Sequence, residues 1–282
     1  MKRLGAAAIF LVCAALTGTS PPARAGCPAR AVPMPPVTQF DRSLAAPRRL
    51  TSLGERTTQA ALAAGMAALA AGDWAGLCRY RLANQAMLAA RRAPRAVFMG
   101  DSITESWGQA NPVLFAGEQV ADGLVDRGIG GQTTQQMLLR FSQDVLALHP
   151  RAVHLLGGTN DFLALDGKPR GIVTLADTEA NLHAMIELAS LHGIAVVVGS
   201  LPPLAGLVDT SAHRATILAL NSWLRTTARL EALAFADYHA VLTDRHGAFK
   251  AELTTDGVHP NRAGFLLMEQ LMGAALGRAL PE

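Results

Sequence analysis

The sequence predicts an α/β domain built on a parallel sheet, and three observations lead there. Beyond residue 95, five short apolar runs are separated by longer segments, the rhythm of strand–helix–strand units. The longer segments carry apolar residues at helical spacing. Two of the runs end in glycine and small polar residues, Gly100-Asp101-Ser102 and Gly157-Gly158-Thr159-Asn160-Asp161, and open α/β sheets hold their ligands at the carboxyl ends of parallel strands.

Taken in order, the 282 residues divide into a leader, an extension and one good-sized domain. Lys2 and Arg3 precede an apolar run over 4–16, and Ala23-Arg24-Ala25 sets small residues at the two positions a signal peptidase reads. Residues 1–25 are therefore expected to be an export signal, leaving a secreted or periplasmic protein. Lipid anchoring through Cys27 fits less well, because Arg24 stands where a lipobox takes an aliphatic residue. Residues 26 to about 50, rich in Pro, Arg and Ala, read as a linker or surface arm. An Ala-rich stretch over 55–71 favours helix. Gly72 breaks it, and Asp73 is expected to N-cap a second helix to about Arg92, with Trp74, Cys78, Leu82 and Ala86 in one stripe. Pro94 ends that helix. The extension thus covers 26–92 and the main domain 93–282.

Within the domain the predicted strands are 96–99, 124–129, 152–156, 194–200 and 233–237. Helical patterns cover 134–148, 175–192 and 212–230, with Gly193 where a C-cap glycine belongs, and a last helix is expected over 262–280.

Composition narrows the function classes. Half of the residues are hydrophobic, enough for a large core, and no stretch after the leader is long and apolar enough to span a bilayer. Residues 1–25 hold Lys2, Arg3 and Arg24 and no acidic residue, so the mature chain carries 22 basic side chains against 22 acidic ones. Without a positive field or a Lys/Arg stripe, nucleic acid is not an expected partner. Cys13 leaves with the leader; Cys27 and Cys78 remain, and an exported protein permits a disulfide between them without requiring one.

Serine becomes a useful nucleophile only when a base takes its proton and a third group orients that base. Ser102 follows a predicted strand and a glycine, at a strand-to-helix turn; an N-cap would be the plainer role. Near the other end stands Asp256-Gly257-Val258-His259-Pro260, where a turn at Gly257 lets carboxylate and imidazole point the same way. The other histidines, among them His154, His192 and His239, are assigned to surface or packing roles. Gly128-Ile129-Gly130-Gly131 offers unobstructed backbone N–H groups and Asn160 a side-chain amide, although ordinary turn chemistry also explains both.

The ordered set Gly-Asp-Ser, Gly-Ile-Gly-Gly, Gly-Thr-Asn-Asp and Asp-x-x-His-Pro resembles the four blocks of the SGNH (GDSL-type) hydrolase superfamily, from about Ala93 to Leu280. The resemblance implies a flavodoxin-like α/β/α sandwich with five parallel strands in the order 2-1-3-4-5. It implies Ser102 as nucleophile, His259 as general base and Asp256 as the residue holding His259. It further implies an oxyanion hole from the Ser102 N–H, the Gly131 N–H and the Asn160 amide. Gln132 is a mild departure, since the family usually has an acidic or small polar residue there. No G-x-S-x-G elbow occurs, against an ordinary α/β-hydrolase. No metal or organic cofactor is expected, and no H-E-x-x-H spacing is present.

The expected activity is hydrolysis of short-acyl carboxylic esters through an acyl-enzyme. The Gly-Ile-Gly-Gly-Gln-Thr-Thr block looks like the platelet-activating-factor acetylhydrolase and lysophospholipase branch. The expected partner is therefore a small ester, an acylated carbohydrate or a lysolipid. An O-deacetylase of polysaccharide uses the same triad, and a non-catalytic binding protein on this scaffold is the third reading.

Overall fold

The structure, a computed structural model, describes Cys27, residues 72–163 and residues 173–281. The predicted leader and the 55–71 helix lie outside these residues.

Five parallel strands, β1 (Ala96–Gly100), β2 (Leu124–Gly128), β3 (Ala152–Leu156), β4 (Ala195–Gly199) and β5 (Ala234–Ala236), form one sheet in the order β2-β1-β3-β4-β5. Strands β1 and β3 are buried along their whole length, which is why β1 reads as an unbroken apolar run and β3 as one interrupted only by His154. Helices α2 (Ser102–Ala110) and α8 (Arg262–Ala279) cover one face of the sheet. On the other lie α3 (Thr134–Asp144), α5 (Leu175–Leu191) and α6 (Ser211–Leu230). The short helices α4 (Thr159–Phe162) and α7 (Tyr238–Leu242) follow β3 and β5. Strand order reverses between β1 and β3, so a crevice opens above their carboxyl ends, where ligands of such sheets sit.

The core beneath α2 is aromatic. Trp107 is fully buried, with Phe98, Phe115 and Tyr238 edge-on to it and Phe265 stacked on it at 5.7 Å. Its indole N–H donates to Glu269 Oε1 at 3.1 Å, and truncating such a side chain typically costs about 3–5 kcal/mol. This pins α2, and with it Ser102, to the top of β1. His154 takes the packing role expected of it: it stacks on Phe98 and pairs with the Tyr238 hydroxyl at 2.8 Å, and burial pushes its pKa down to about 3.

One expectation fails. The helix anticipated from Asp73 to Arg92 is confined to α1 (Arg81–Ala89), and the expected stripe is not its buried face. Leu82 and Trp74 are exposed, while Asn84 and Met87 are buried. Asp73 does cap, accepting from the Leu77 and Cys78 N–H groups at 2.6 and 3.0 Å, but it opens a chain of turns rather than a helix. The carbonyls of Trp74, Ala75 and Leu77, which a helix would use internally, instead accept from the amides of Gln136, Gln132 and Gln143 at 2.7, 2.7 and 2.6 Å. Tertiary hydrogen bonds thus outcompete the helical ladder.

Cys78, in this turn segment, is joined to Cys27, with Cα atoms 5.4 Å apart. The bridge spans 51 positions of sequence, and closing a loop of that length removes unfolded-state entropy equivalent to about 4 kcal/mol.

Candidate active site

β1 carries Ser102 to the carboxyl edge of the sheet. Asp101 is the N-cap of α2, its Oδ1 accepting from the Ile103 N–H at 2.9 Å, so Ser102 occupies the first helical position with its own N–H free of the helical ladder. Burial pushes the Asp101 carboxyl up to about 6, against the Ile103 hydrogen bond and the nearby His259, which pull it down.

The Asp-x-x-His segment is a tight closed turn. Thr254 and Pro260 form an antiparallel bridge, the Thr255 N–H donates to the His259 carbonyl at 3.0 Å, and Thr254 Oγ1 donates to the same oxygen at 2.8 Å. Gly257 turns the chain at φ +87°, and a Cβ there would lie 2.5 Å from the Ala205 carbonyl oxygen, so only glycine fits. The turn brings His259 Nε2 to 2.8 Å from Ser102 Oγ and His259 Nδ1 to 2.7 Å from Asp256 Oδ2. Asp256 Oδ1 accepts from the Val258 and His259 N–H groups at 2.9 and 2.8 Å. Burial pushes the Asp256 carboxyl up, but the imidazole and these two amides outweigh it and hold the carboxyl below its usual range. An ionised carboxylate only accepts, so the Nδ1 hydrogen points at Asp256 and Nε2 offers its lone pair to the Ser102 hydroxyl.

On the other flank, the Asn160 amide donates to the Gln132 carbonyl at 3.0 Å and to Asp101 Oδ2 at 3.3 Å. It therefore sits between the residue before Ser102 and the residue after Gly131. Gly131 adopts φ +75°, with open space on the side a Cβ would occupy. Its N–H donates to no atom among the described residues. Sheet register explains the convergence: Gly100 pairs with Gly128 on one side and with Leu156 on the other, so three strand ends meet at one level.

Residues 98–266, more than half of the chain, match the family model of GDSL-like lipases and acylhydrolases. The chain belongs to the GDSL-like lipase/acylhydrolase family. A GDSL-like lipase structure from Bacteroides thetaiotaomicron is 32% identical, with a TM-score of 0.64, over 73% of this chain and 99% of that one. An acetylxylan esterase from Geobacillus stearothermophilus shares the fold at 20% identity and a TM-score of 0.53, over 66% of this chain and 96% of that one. An uncharacterized lipoprotein of Bacillus subtilis is 39% identical over 93 residues, 33% of this chain and 37% of that relative's length. Like its family, the protein is a carboxylic ester hydrolase on a three-layer α/β/α fold. No described helix is long and apolar enough to cross a membrane.

Several residues of this GDSL-like site escape a reading of the sequence. Asp161, beside Asn160, accepts from the Thr134 N–H at 2.8 Å and from the Thr134 and Thr178 hydroxyls, fixing the start of α3 against the end of β3. Arg140, fully buried, donates to Gln132 Oε1 at 2.6 Å, to the Gly100 carbonyl at 2.9 Å and to Asp144 at 3.1 Å. Gln132, the departure from the family pattern, is buried and satisfied at both ends, by Arg140 and by the Ala75 carbonyl. The sequence holds one signal for Arg140: it pairs with Asp144 four residues on, along the same side of α3 as Met137 and Phe141.

A cavity of about 230 Å³ adjoins Asp256 and His259, lined also by Ser106, Gln109, Arg262 and Phe265. A larger hollow of about 490 Å³ lies by the amino ends of β4 and β5, at the opposite edge of the sheet from Ser102. Among the described residues no group of three His, Cys, Asp or Glu side chains converges as metal ligands would.

Proposed function

We propose that this enzyme hydrolyses short-acyl esters through an acyl-enzyme on Ser102. The observation that carries the reading is the unbroken hydrogen-bonded chain from Ser102 Oγ through His259 to Asp256, at 2.8 and 2.7 Å. Ser102 attacks the ester carbonyl while His259 Nε2 takes its proton, and Asp256 stabilises the imidazolium. The carbonyl oxygen, now negative, accepts from the N–H groups of Ser102 and Gly131 and from the Asn160 amide, whose hydrogen leaves its long 3.3 Å bond to Asp101 Oδ2. Collapse expels the alcohol with the proton from His259. Water then attacks the acyl group, activated by the same base, and the acid leaves. The catalytic unit in this reading is the domain over 93–282, with 26–92 as its extension.

Asn160→Ala is expected to lower kcat by roughly one to three orders of magnitude with little change in KM, since an oxyanion donor acts where charge develops. Steady-state kinetics together with a melting curve decide this. A lowered melting temperature at unchanged kcat would make Asn160 a turn residue only.

The short-acyl preference rests on what surrounds the site. Phe115 and Leu163 are buried in the core, and Leu114 and Phe162 pack against it, so these four apolar side chains near the site are already engaged. A groove for a long tail would add about 0.8 kcal/mol per buried CH₂, and kcat/KM would climb with chain length. A p-nitrophenyl ester series from acetate to palmitate should peak between acetyl and butyryl; a peak at eight carbons or beyond overturns the idea. Run beside it, an acetylated sugar strongly preferred over every simple ester would favour the O-deacetylase reading.

Export through residues 1–25 belongs to the same proposal, and the Cys27–Cys78 bridge supports it, since such bonds form in oxidising compartments. The Bacillus subtilis relative is a lipoprotein. Here the Cys27 sulfur is bonded to Cys78, and one sulfur cannot also carry a thioether-linked lipid. The exported protein should have the intact mass of residues 26–282 less two hydrogens; a mass with diacylglycerol on Cys27, or an uncleaved Met1, refutes it.

A further inference from the structure

Among the described residues, every N–H of the loop from Ile129 to Thr133 is held except one. The Ile129 N–H donates to the Gly100 carbonyl at 3.2 Å, the Gln132 N–H returns to the Ile129 carbonyl at 3.3 Å, and the Tyr80 hydroxyl donates to the Gly128 carbonyl. The Gly130 N–H donates to Glu105 Oε2 at 2.9 Å. The remaining N–H, that of Gly131, is the one assigned to the oxyanion. Glu105 lies on the first turn of α2, one turn beyond Ser102, and is buried. Its other oxygen is 3.0 Å from the Arg79 guanidinium, in the turn segment tethered by Cys78. One carboxylate thus joins the nucleophile's helix, the oxyanion loop and the extension.

We propose that Glu105, held by Arg79, is a positioning residue that fixes the Gly130–Gly131 peptides so that the Gly131 N–H meets the developing oxyanion. The inference rests on the assignment of Ser102 as nucleophile and Gly131 as oxyanion donor. Two glycines in succession leave this stretch with unusual backbone freedom, so an N–H there keeps one direction only if its neighbour is tied. A carboxylate acceptor makes that tie stronger than a neutral one. The extension then acts on the chemistry through Arg79, beyond packing against α3.

A plainer role for Glu105 would be a favourable charge at the N-terminus of α2, which affects stability and not the chemical step. The experiment separates the two. Glu105→Ala, Glu105→Gln, Arg79→Met and Ser102→Ala are assayed in the full chain on p-nitrophenyl acetate, with inhibition by a trifluoromethyl ketone, whose serine adduct carries an oxyanion. Glu105→Ala should lose roughly 10- to 100-fold in kcat with KM within about twofold, and weaken the ketone in proportion. Glu105→Gln keeps an oxygen for the Gly130 N–H but turns its NH₂ toward Arg79, so it should recover part of the loss, to within about three- to tenfold of wild type. Arg79→Met, at a partly exposed position that leaves Glu105 in place, should lose about three- to tenfold in kcat at unchanged KM; it also serves as the test if the alanine variant does not fold. Equal kcat in the Ala and Gln variants, or unchanged kcat and ketone affinity in Arg79→Met, overturns the proposal. Turnover surviving in Ser102→Ala would instead overturn the nucleophile assignment, so the two failures are told apart.

Discussion

Ser102→Ala should abolish ester hydrolysis, with kcat down by at least about four orders of magnitude, and leave the melting temperature within about 2 °C of wild type. The change removes one hydroxyl, bonded to His259 Nε2, and the aromatic packing that anchors α2 is untouched. Without the oxygen no acyl-enzyme forms, and the remaining donors can only assist direct attack by water. A fluorophosphonate probe reads the same group chemically: wild type should be labelled at Ser102 and the variant not at all. A variant that labels and turns over normally would remove Ser102 from the reaction.

Asp256→Asn should cost nearly as much, about four orders of magnitude in kcat, for a different reason. Asp256 Oδ1 accepts from two backbone N–H groups, so the replacing amide keeps its oxygen there and turns its NH₂ toward His259 Nδ1. A donor facing Nδ1 forces the imidazole hydrogen onto Nε2, which then points at Ser102 and cannot take its proton. Stability gives a second readout with a definite sign. The Asp256 carboxyl is held below its ordinary value, so the stability it contributes is present above the ordinary carboxylate range and lost as pH falls through the lowered value. The melting-temperature gap between wild type and Asp256→Asn should therefore narrow in acid. A variant with near-normal kcat would show that His259 needs no orienting carboxylate.

Much of this is legible in the chain because the informative groups sit at strand ends. All five strands fall within one or two residues of the expected runs, since a strand buried on both faces, such as β1, has almost nothing but apolar residues to show. Ser102, Asp256 and His259 are legible because each borders a local turn whose chemistry is written in adjacent residues, Gly100-Asp101 in one case and Gly257 in the other. The hidden part depends on distant partners. Glu105, Arg140 and Gln132 are charged or polar residues that, in a linear reading, belong on the surface; only the fold shows that each meets a specific group 8 to 57 positions away. The turns after Asp73 read as helix for the same reason, because the three glutamines that capture their carbonyls lie more than fifty residues downstream. The cysteine pairing stays open in the sequence because the path of the chain between the two cannot be read from composition.

The distance between Ser102 and His259 along the chain has a consequence for how the enzyme comes into being. They are 157 residues apart, and His259 stands on the last turn before α8. All five strands precede it, so the whole sheet can pair, and Ser102 can take its place on α2, while the segment bearing His259 is still unfolded. Contacts that close so long a loop carry a large entropic cost and form late. A chain emerging from its amino terminus thus carries Ser102 without its His259 partner until the segment after β5 is out. On the proposed mechanism, partly folded forms lacking this final segment would be chemically inert, and hydrolytic power would appear only once it has folded.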